Sequence, residues 1–130
     1  MIKYDEIRHS DEINTYIRQA DASLEALGYT EHSFAHVTRC AHTAAGLLRQ
    51  LEYPARTCEL AAIAGYMHDI GNVINRIDHA QSGAVMAFRI LDKMGMEPAE
   101  VATVVTAIGN HDEGTAFPVN EVAAALILAD

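Results

Sequence analysis

The chain has 130 residues, half of them hydrophobic, enough for one domain that buries roughly two thirds of its unfolded surface. Its net charge of −9 argues against a protein that grips a nucleic-acid backbone with lysine and arginine, so a phosphate ligand here needs metal ions to supply positive charge. The apolar run Val122 to Ala129 falls far short of the ~20 residues of a membrane span, and Asp5 and Glu6 stand where an export signal carries its apolar core; no membrane partner and a cytoplasmic location are the expectation.

Apolar residues recur at three-and-four spacing while strand-like alternation never persists, which predicts an all-α fold. Ser10 caps a first helix over about 10–27, with Ile13, Ile17, Leu24 and Leu27 on one side and Gly28 as its stop. The helical core then runs over about 30–130. A second helix starts after Thr30 and reaches about Leu51, with Phe34, Val37, Ala41, Ala44, Leu48 and Leu51 on its buried stripe.

Pro54 ends that segment, and Thr57 begins a third helix that runs to His68-Asp69 and stops at Gly71. Cys40 and Cys58 lie inside these apolar patterns without CxxC spacing and read as reduced thiols. Asp78-His79-Ala80-Gln81 has the form of a capping box and opens a fourth helix through Met94, punctuated by Gly95. Pro98 suits the first position of a fifth helix carrying Val101, Val104, Val105 and Ile108 and ending near Asn110-His111. A loop, Asp112 to Pro118, leads to Asn120 as cap of a last helix of only about ten residues. That helix stops on a candidate ligand, Asp130, so the sequence is read as a single domain that can be an excerpt of a longer chain.

The most informative feature is the doublet His68-Asp69, together with His36, His79, His111 and Asp130. Imidazole nitrogen and carboxylate oxygen suit iron, manganese, zinc or nickel, and a carboxylate can bridge two such ions. These candidates fall mostly at or near the ends of separate helices, which is how a bundle assembles a central metal site from facing helices. His36, read as mid-helix, has Arg39 one turn on, a pairing able to hold a metal ion and a phosphate oxygen side by side.

Plainer roles stand beside these. A lone buried histidine is more often a hydrogen-bonded core residue, His79 also suits a helix cap, and Arg39 also suits a surface ion pair. Arg76 comes second to Arg39 as a phosphate cation. His32, His9 and His42 are read as surface residues. Asp112 and Glu113 suit protonation of a leaving group or orientation of His111, or plain solvation in a loop. Gly71 reads as a helix stop, Gly83 and Gly109 as close-packing positions, and Met67, Met86, Met94 and Met96 as core filler.

On His36, His68-Asp69 and the late Asp130 of Ala-Leu-Ile-Leu-Ala-Asp, the chain resembles the HD superfamily of metal-dependent phosphohydrolases over about residues 30 to 130. The resemblance implies a helical bundle with the metal site at its centre and His36, His68, Asp69 and Asp130 around one ion. Members with two metals add two histidines between the doublet and the last aspartate, where His79 and His111 stand here; Asp69 is then the bridging carboxylate.

Two ions about 3.5–4 Å apart can clamp the attacking and leaving oxygens of a phosphoryl centre, with a metal-held hydroxide as the expected nucleophile. His79-Ala80-Gln81-Ser82-Gly83-Ala84, Ala107-Ile108-Gly109-Asn110-His111 and Leu128-Ala129-Asp130 look like hydrolases that split diadenosine tetraphosphate. Asn110-His111-Asp112-Glu113-Gly114 with Phe117-Pro118 resembles the HD-GYP phosphodiesterases, but Asn110 replaces a histidine and the Gly-Tyr-Pro triplet is absent. Asn72 stands where many members of both groups carry lysine.

The reading is a phosphohydrolase with two divalent ions acting on a phosphoester or phosphoanhydride, in a nucleotide, with Asp69, Asp112 and Arg39 as the catalytic candidates. The alternative is a metal- or nucleotide-binding signalling module without fast chemistry.

Overall fold

In a computed structural model, residues 1–29 and 33–130 are described, and among them the fold is all-α with no strand. The helices are α1 (Tyr4–Arg8), α2 (Asp11–Ala26), α3 (Ser33–Gln50), α4 (Ala55–Met67), α5 (His79–Met94), α6 (Pro98–Gly109) and α7 (Glu121–Ala129), with a 3-10 turn over Ile70–Val73 between α4 and α5. None is long and apolar enough to cross a membrane. The expected helix start after Thr30 and the surface reading of His32 lie outside the described residues.

Local chemistry sets most of the boundaries. The Ile13 N–H donates to Ser10 Oγ at 3.2 Å, and the Ala123 N–H donates to Asn120 Oδ1 at 2.7 Å, so both expected caps form. Gly28 and Gly95, at φ of +93° and +91°, turn the chain out of α2 and α5 through left-handed backbone that favours glycine.

Three expectations are corrected and one helix is added. Helix α4 begins at Ala55 rather than Thr57, directly behind Pro54, whose fixed φ suits a helix entry. Asp78 forms no capping box: it takes a left-handed φ of +57° and its side chain caps nothing, because the chain turns sharply there before entering α5. Leu27 and Leu51 are exposed, being placed past the ends of α2 and α3, where the helical stripe no longer applies. Helix α1 was not predicted; five residues are too few to show a period, and it is fixed from a distance through buried Ile7 and a Tyr4 N–H bond to Glu59.

Helix α4 is the axis of the fold. Every residue from Leu60 to Met67 is buried, and α1, α3, α6 and α7 pack around it. A helix apolar on all faces belongs in the interior, and its small residues let the neighbours close in. A β-carbon on Gly65 would lie 2.8 Å from Ala41 Cα, so α3 and α4 meet at backbone contact. The two cysteines are buried and free.

Gly71 allows a second close approach. A β-carbon there would lie 2.0 Å from the His79 carbonyl oxygen and 2.6 Å from the Gly83 nitrogen, so the 3-10 turn abuts the first turn of α5. Gly71 is thus a contact glycine rather than a helix stop, and Gly83 shares the contact, whereas a methyl group at Gly109 would meet Ala84 at an ordinary 3.6 Å.

One guanidinium ties the amino-terminal segment to α4 and α6. Arg56 donates through Nε and Nη2 to the two oxygens of Glu100, at 2.8 and 2.6 Å, and through Nη1 to Glu59 and the Ile2 carbonyl oxygen, at 3.0 and 2.6 Å. A forked, charge-assisted pair of this kind is among the stronger hydrogen bonds of a partly shielded surface.

Two stability measurements follow from these contacts. Gly71→Ala is expected to cost about 1–3 kcal/mol in denaturant unfolding, because backbone atoms and not flexible side chains must yield; an unchanged midpoint would contradict the close approach. Arg56→Ala is expected to cost about 1–3 kcal/mol near neutral pH. Arg56 holds the Glu100 carboxyl below its ordinary range, so this stabilisation is complete above the unfolded value of about 4.3 and lost as pH falls through the depressed folded value. The cost of Arg56→Ala therefore shrinks in acid; an equal cost at both pH values would contradict charge pairing.

Candidate metal centre

All six candidate residues converge on one spot at the end of α4. His68 caps that helix and Asp69 follows it, so the buried axis carries the doublet into the middle of the molecule. His79 is the first residue of α5, His111 lies just past α6, and Asp130 just past α7. His36 lies on α3 near the start of its described part; the helix start that decides whether it is mid-helix lies outside the described residues.

Three of the histidines are oriented in the same way. His68 Nδ1 donates to the Gly65 carbonyl oxygen at 2.6 Å, His111 Nδ1 to that of Ile108 at 2.5 Å, and His79 Nδ1 to that of Arg76 at 3.1 Å. Each acceptor lies three residues back, and for His68 and His111 it is a carbonyl in the last turn of a helix, where intrahelical partners run out. With Nδ1 carrying the proton, Nε2 presents its lone pair inward, the tautomer that suits a metal ligand.

The inward atoms surround Asp69. Its Oδ2 lies 3.4 Å from His36 Nε2 and 3.3 Å from His68 Nε2, and Asp130 Oδ1 lies 3.0 and 3.3 Å from the same two nitrogens. Its Oδ1 faces the other way, 3.4 Å from His79 Nε2 and 3.6 Å from His111 Nε2. One carboxylate thus addresses two separate pairs of imidazoles.

These separations fit donors that share an ion. Two ligand atoms on bonds of about 2.0–2.2 Å sit about 3.0–3.5 Å apart in octahedral or tetrahedral geometry. The nitrogens themselves supply a second observation: His68 Nε2 and His111 Nε2 are buried without a hydrogen-bond partner, although carboxylate oxygens lie close by. Orphaned buried polar atoms are costly in a folded protein, and an ion held between them removes that cost. The residues fit a divalent metal.

Charge follows the same pattern. Donation from His36 Nε2 to the Asp130 carboxylate, then the Asp69 carboxylate beside it, pushes His36 up to about 12. Burial draws the His68 imidazole down, but the nearby carboxylates of Asp69 and Asp130 outweigh it and carry the group to about 10. Burial raises Asp69 and Asp130 in turn, yet the facing histidines hold Asp69 well below the usual carboxylate range and Asp130 below it as well. Without a cation, protons on imidazole balance the two carboxylates.

A cavity of about 470 Å³ opens over the cluster. His36, Asp69, His79, His111 and Asp130 line it on the metal side, while Asp112, Glu113 and Arg76 bring further charge. Arg39 is exposed on α3 and is not among the lining residues. His9 and His42 are exposed and lie apart from the cluster, His9 against the Asp5 carbonyl and His42 edge-on to Tyr4.

Sequence reasoning passed over three residues here. Ala116 and Ile127 form apolar wall, for which the sequence carries no distinguishing signal. Cys40 Sγ lies 3.7 Å from His36 Nε2, a proximity readable from its position one helical turn after the histidine.

Comparison with known proteins agrees with this geometry. An uncharacterized protein of Methanocaldococcus jannaschii, MJ1020, is 26% identical over 133 residues, covering 85% of this chain and 51% of that protein, so the chain spans about half the length of this relative. No solved structure matches the chain. The HD domain family model matches residues 33–128, which takes in α3 through most of α7 and every candidate ligand but Asp130. The chain belongs to the HD-domain family.

Proposed function

We propose that the protein is a phosphohydrolase with two divalent metal ions, cleaving a phosphoester or phosphoanhydride in a nucleotide. The observation that carries this reading is the division of Asp69, with Oδ2 toward His36 and His68 and Oδ1 toward His79 and His111. Family membership supports metal-dependent phosphoryl chemistry, and the donor set accepts iron, manganese, zinc or nickel.

Bound ions of this kind supply Lewis acidity toward a phosphoryl oxygen and ionise water near neutral pH. The chain's own residues do the rest. Asp69 and Asp130 provide the negative charge that retains cations, and the Nδ1 bonds of His68, His79 and His111 fix the ring orientations. Asp112 lines the cavity beside His111, where its carboxyl can give a proton to the leaving oxygen. Arg39, one turn from His36 and exposed, is left with the outer part of a substrate.

Asp69→Ala is expected to lose both ions by inductively coupled plasma mass spectrometry and to lower nucleotide hydrolysis by more than the 10–100-fold that a supporting residue typically gives. Retained turnover in that variant would sink the proposal. Asp112→Asn is expected to keep its metal and to lose about 10²-fold or more in kcat; an unchanged kcat would remove Asp112 from proton transfer. Tight nucleotide binding by the metal-loaded protein with no phosphate release would instead favour a signalling module.

A further inference from the structure

We infer that Arg76 anchors a second phosphate group of the substrate, beyond the one at the metal ions, so that the natural substrate is a di- or polyphosphate rather than a monophosphate. The inference rests on the phosphohydrolase reading and deepens it. Arg76 lines the same cavity as Asp69, His79 and His111. Its main-chain carbonyl oxygen accepts the His79 Nδ1 proton, which ties its position in the chain to that of a candidate ligand.

The side chain is also held. Nη1 lies 3.4 Å from Oδ1 of Asn72, and Asn72 is buried at 2% exposure. An amide brings no charge of its own, so the positive charge on this wall belongs to Arg76. Arg8, Arg56 and Arg89 each pair with a carboxylate; Arg76, like the exposed Arg18, Arg39 and Arg49, makes no ion pair among the described residues, but it is the arginine that lines the cavity, with Asp112 and Glu113. A partly buried guanidinium held by an amide and left without an anion is an open fork for one, and phosphate oxygens match that fork in two places.

Volume and charge both suit a second anionic group. Cavities of about 300–1,000 Å³ accept whole small ligands, and this one, at about 470 Å³, has room well beyond a single phosphoryl group. The six-residue cluster is complete without Arg76, so the guanidinium is not needed to hold a metal. Asp112 and Glu113 offer no positive charge at their wall, which leaves the Arg76 side as the place where a second phosphate finds it.

The test uses the full chain loaded with manganese, titrated calorimetrically with orthophosphate and with methylenediphosphonate, a diphosphate mimic that cannot be hydrolysed. Manganese is kept in excess and the metal content of the recovered protein is measured. The native chain is expected to bind the diphosphonate more tightly than orthophosphate. Arg76→Gln should weaken diphosphonate binding by about ten- to a hundredfold, leaving orthophosphate affinity and metal content unchanged, and Arg76→Lys should recover part of the loss. Arg49→Gln, which removes the same charge from the exposed end of α3, should change neither affinity.

Equal diphosphonate binding by Arg76→Gln and the native chain, or an equal loss in Arg49→Gln, would overturn the inference and leave the phosphohydrolase reading standing. A native, metal-loaded chain that binds neither anion would overturn both.

Discussion

A carboxylate carried into the interior of an apolar bundle must be met by positive charge, and most of what distinguishes this fold answers that demand. Asp69 arrives there because α4 is buried from Leu60 to Met67 and ends two residues before it. Removing an isolated ionised carboxylate from water costs far more than a domain of this size has to spare. Four imidazoles gather around it, and where no ion is present His36 and His68 take up protons to balance Asp69 and Asp130. A divalent cation satisfies the same carboxylates and the orphaned nitrogens of His68 and His111 together.

Helix ends make this convergence possible. The last turn of a helix leaves carbonyl oxygens without partners, and α4 and α6 use one each to fix the ring of the histidine that follows. Helix-end carbonyls and ring donors thus meet while the lone pairs turn inward. The elements can approach closely enough only because Gly65, Gly71 and Gly83 lack side chains at the crossings. The contact between Gly71 and the His79 carbonyl joins two jobs, since the same turn positions His79 opposite Asp69.

Much of this was legible in the sequence, for reasons that differ by element. Long amphipathic helices announce themselves by period, and Ser10, Asn120, Gly28 and Gly95 set boundaries through local chemistry that needs no tertiary context. The six metal candidates stood out because their residue types are costly to bury without a purpose. What escaped was set by distance. Helix α1 is fixed by Glu59, more than fifty residues away, and Asp78 adopts a left-handed turn that its capping-box pattern does not reveal. Arg39 drew attention as a sequence neighbour of His36, yet it is Arg76, held by Asn72 and placed by the turn before α5, that reaches the cavity. Spacing along one helix says little about a wall built from several.

The most direct measurement of the central claim is anomalous diffraction from crystals of the manganese-loaded protein, collected to locate the ions relative to Asp69. Two peaks are expected, one among His36, His68, Asp69 Oδ2 and Asp130, the other among His79, His111 and Asp69 Oδ1. A single peak, or peaks away from Asp69, would contradict a bridging role for that carboxylate and with it the two-metal site.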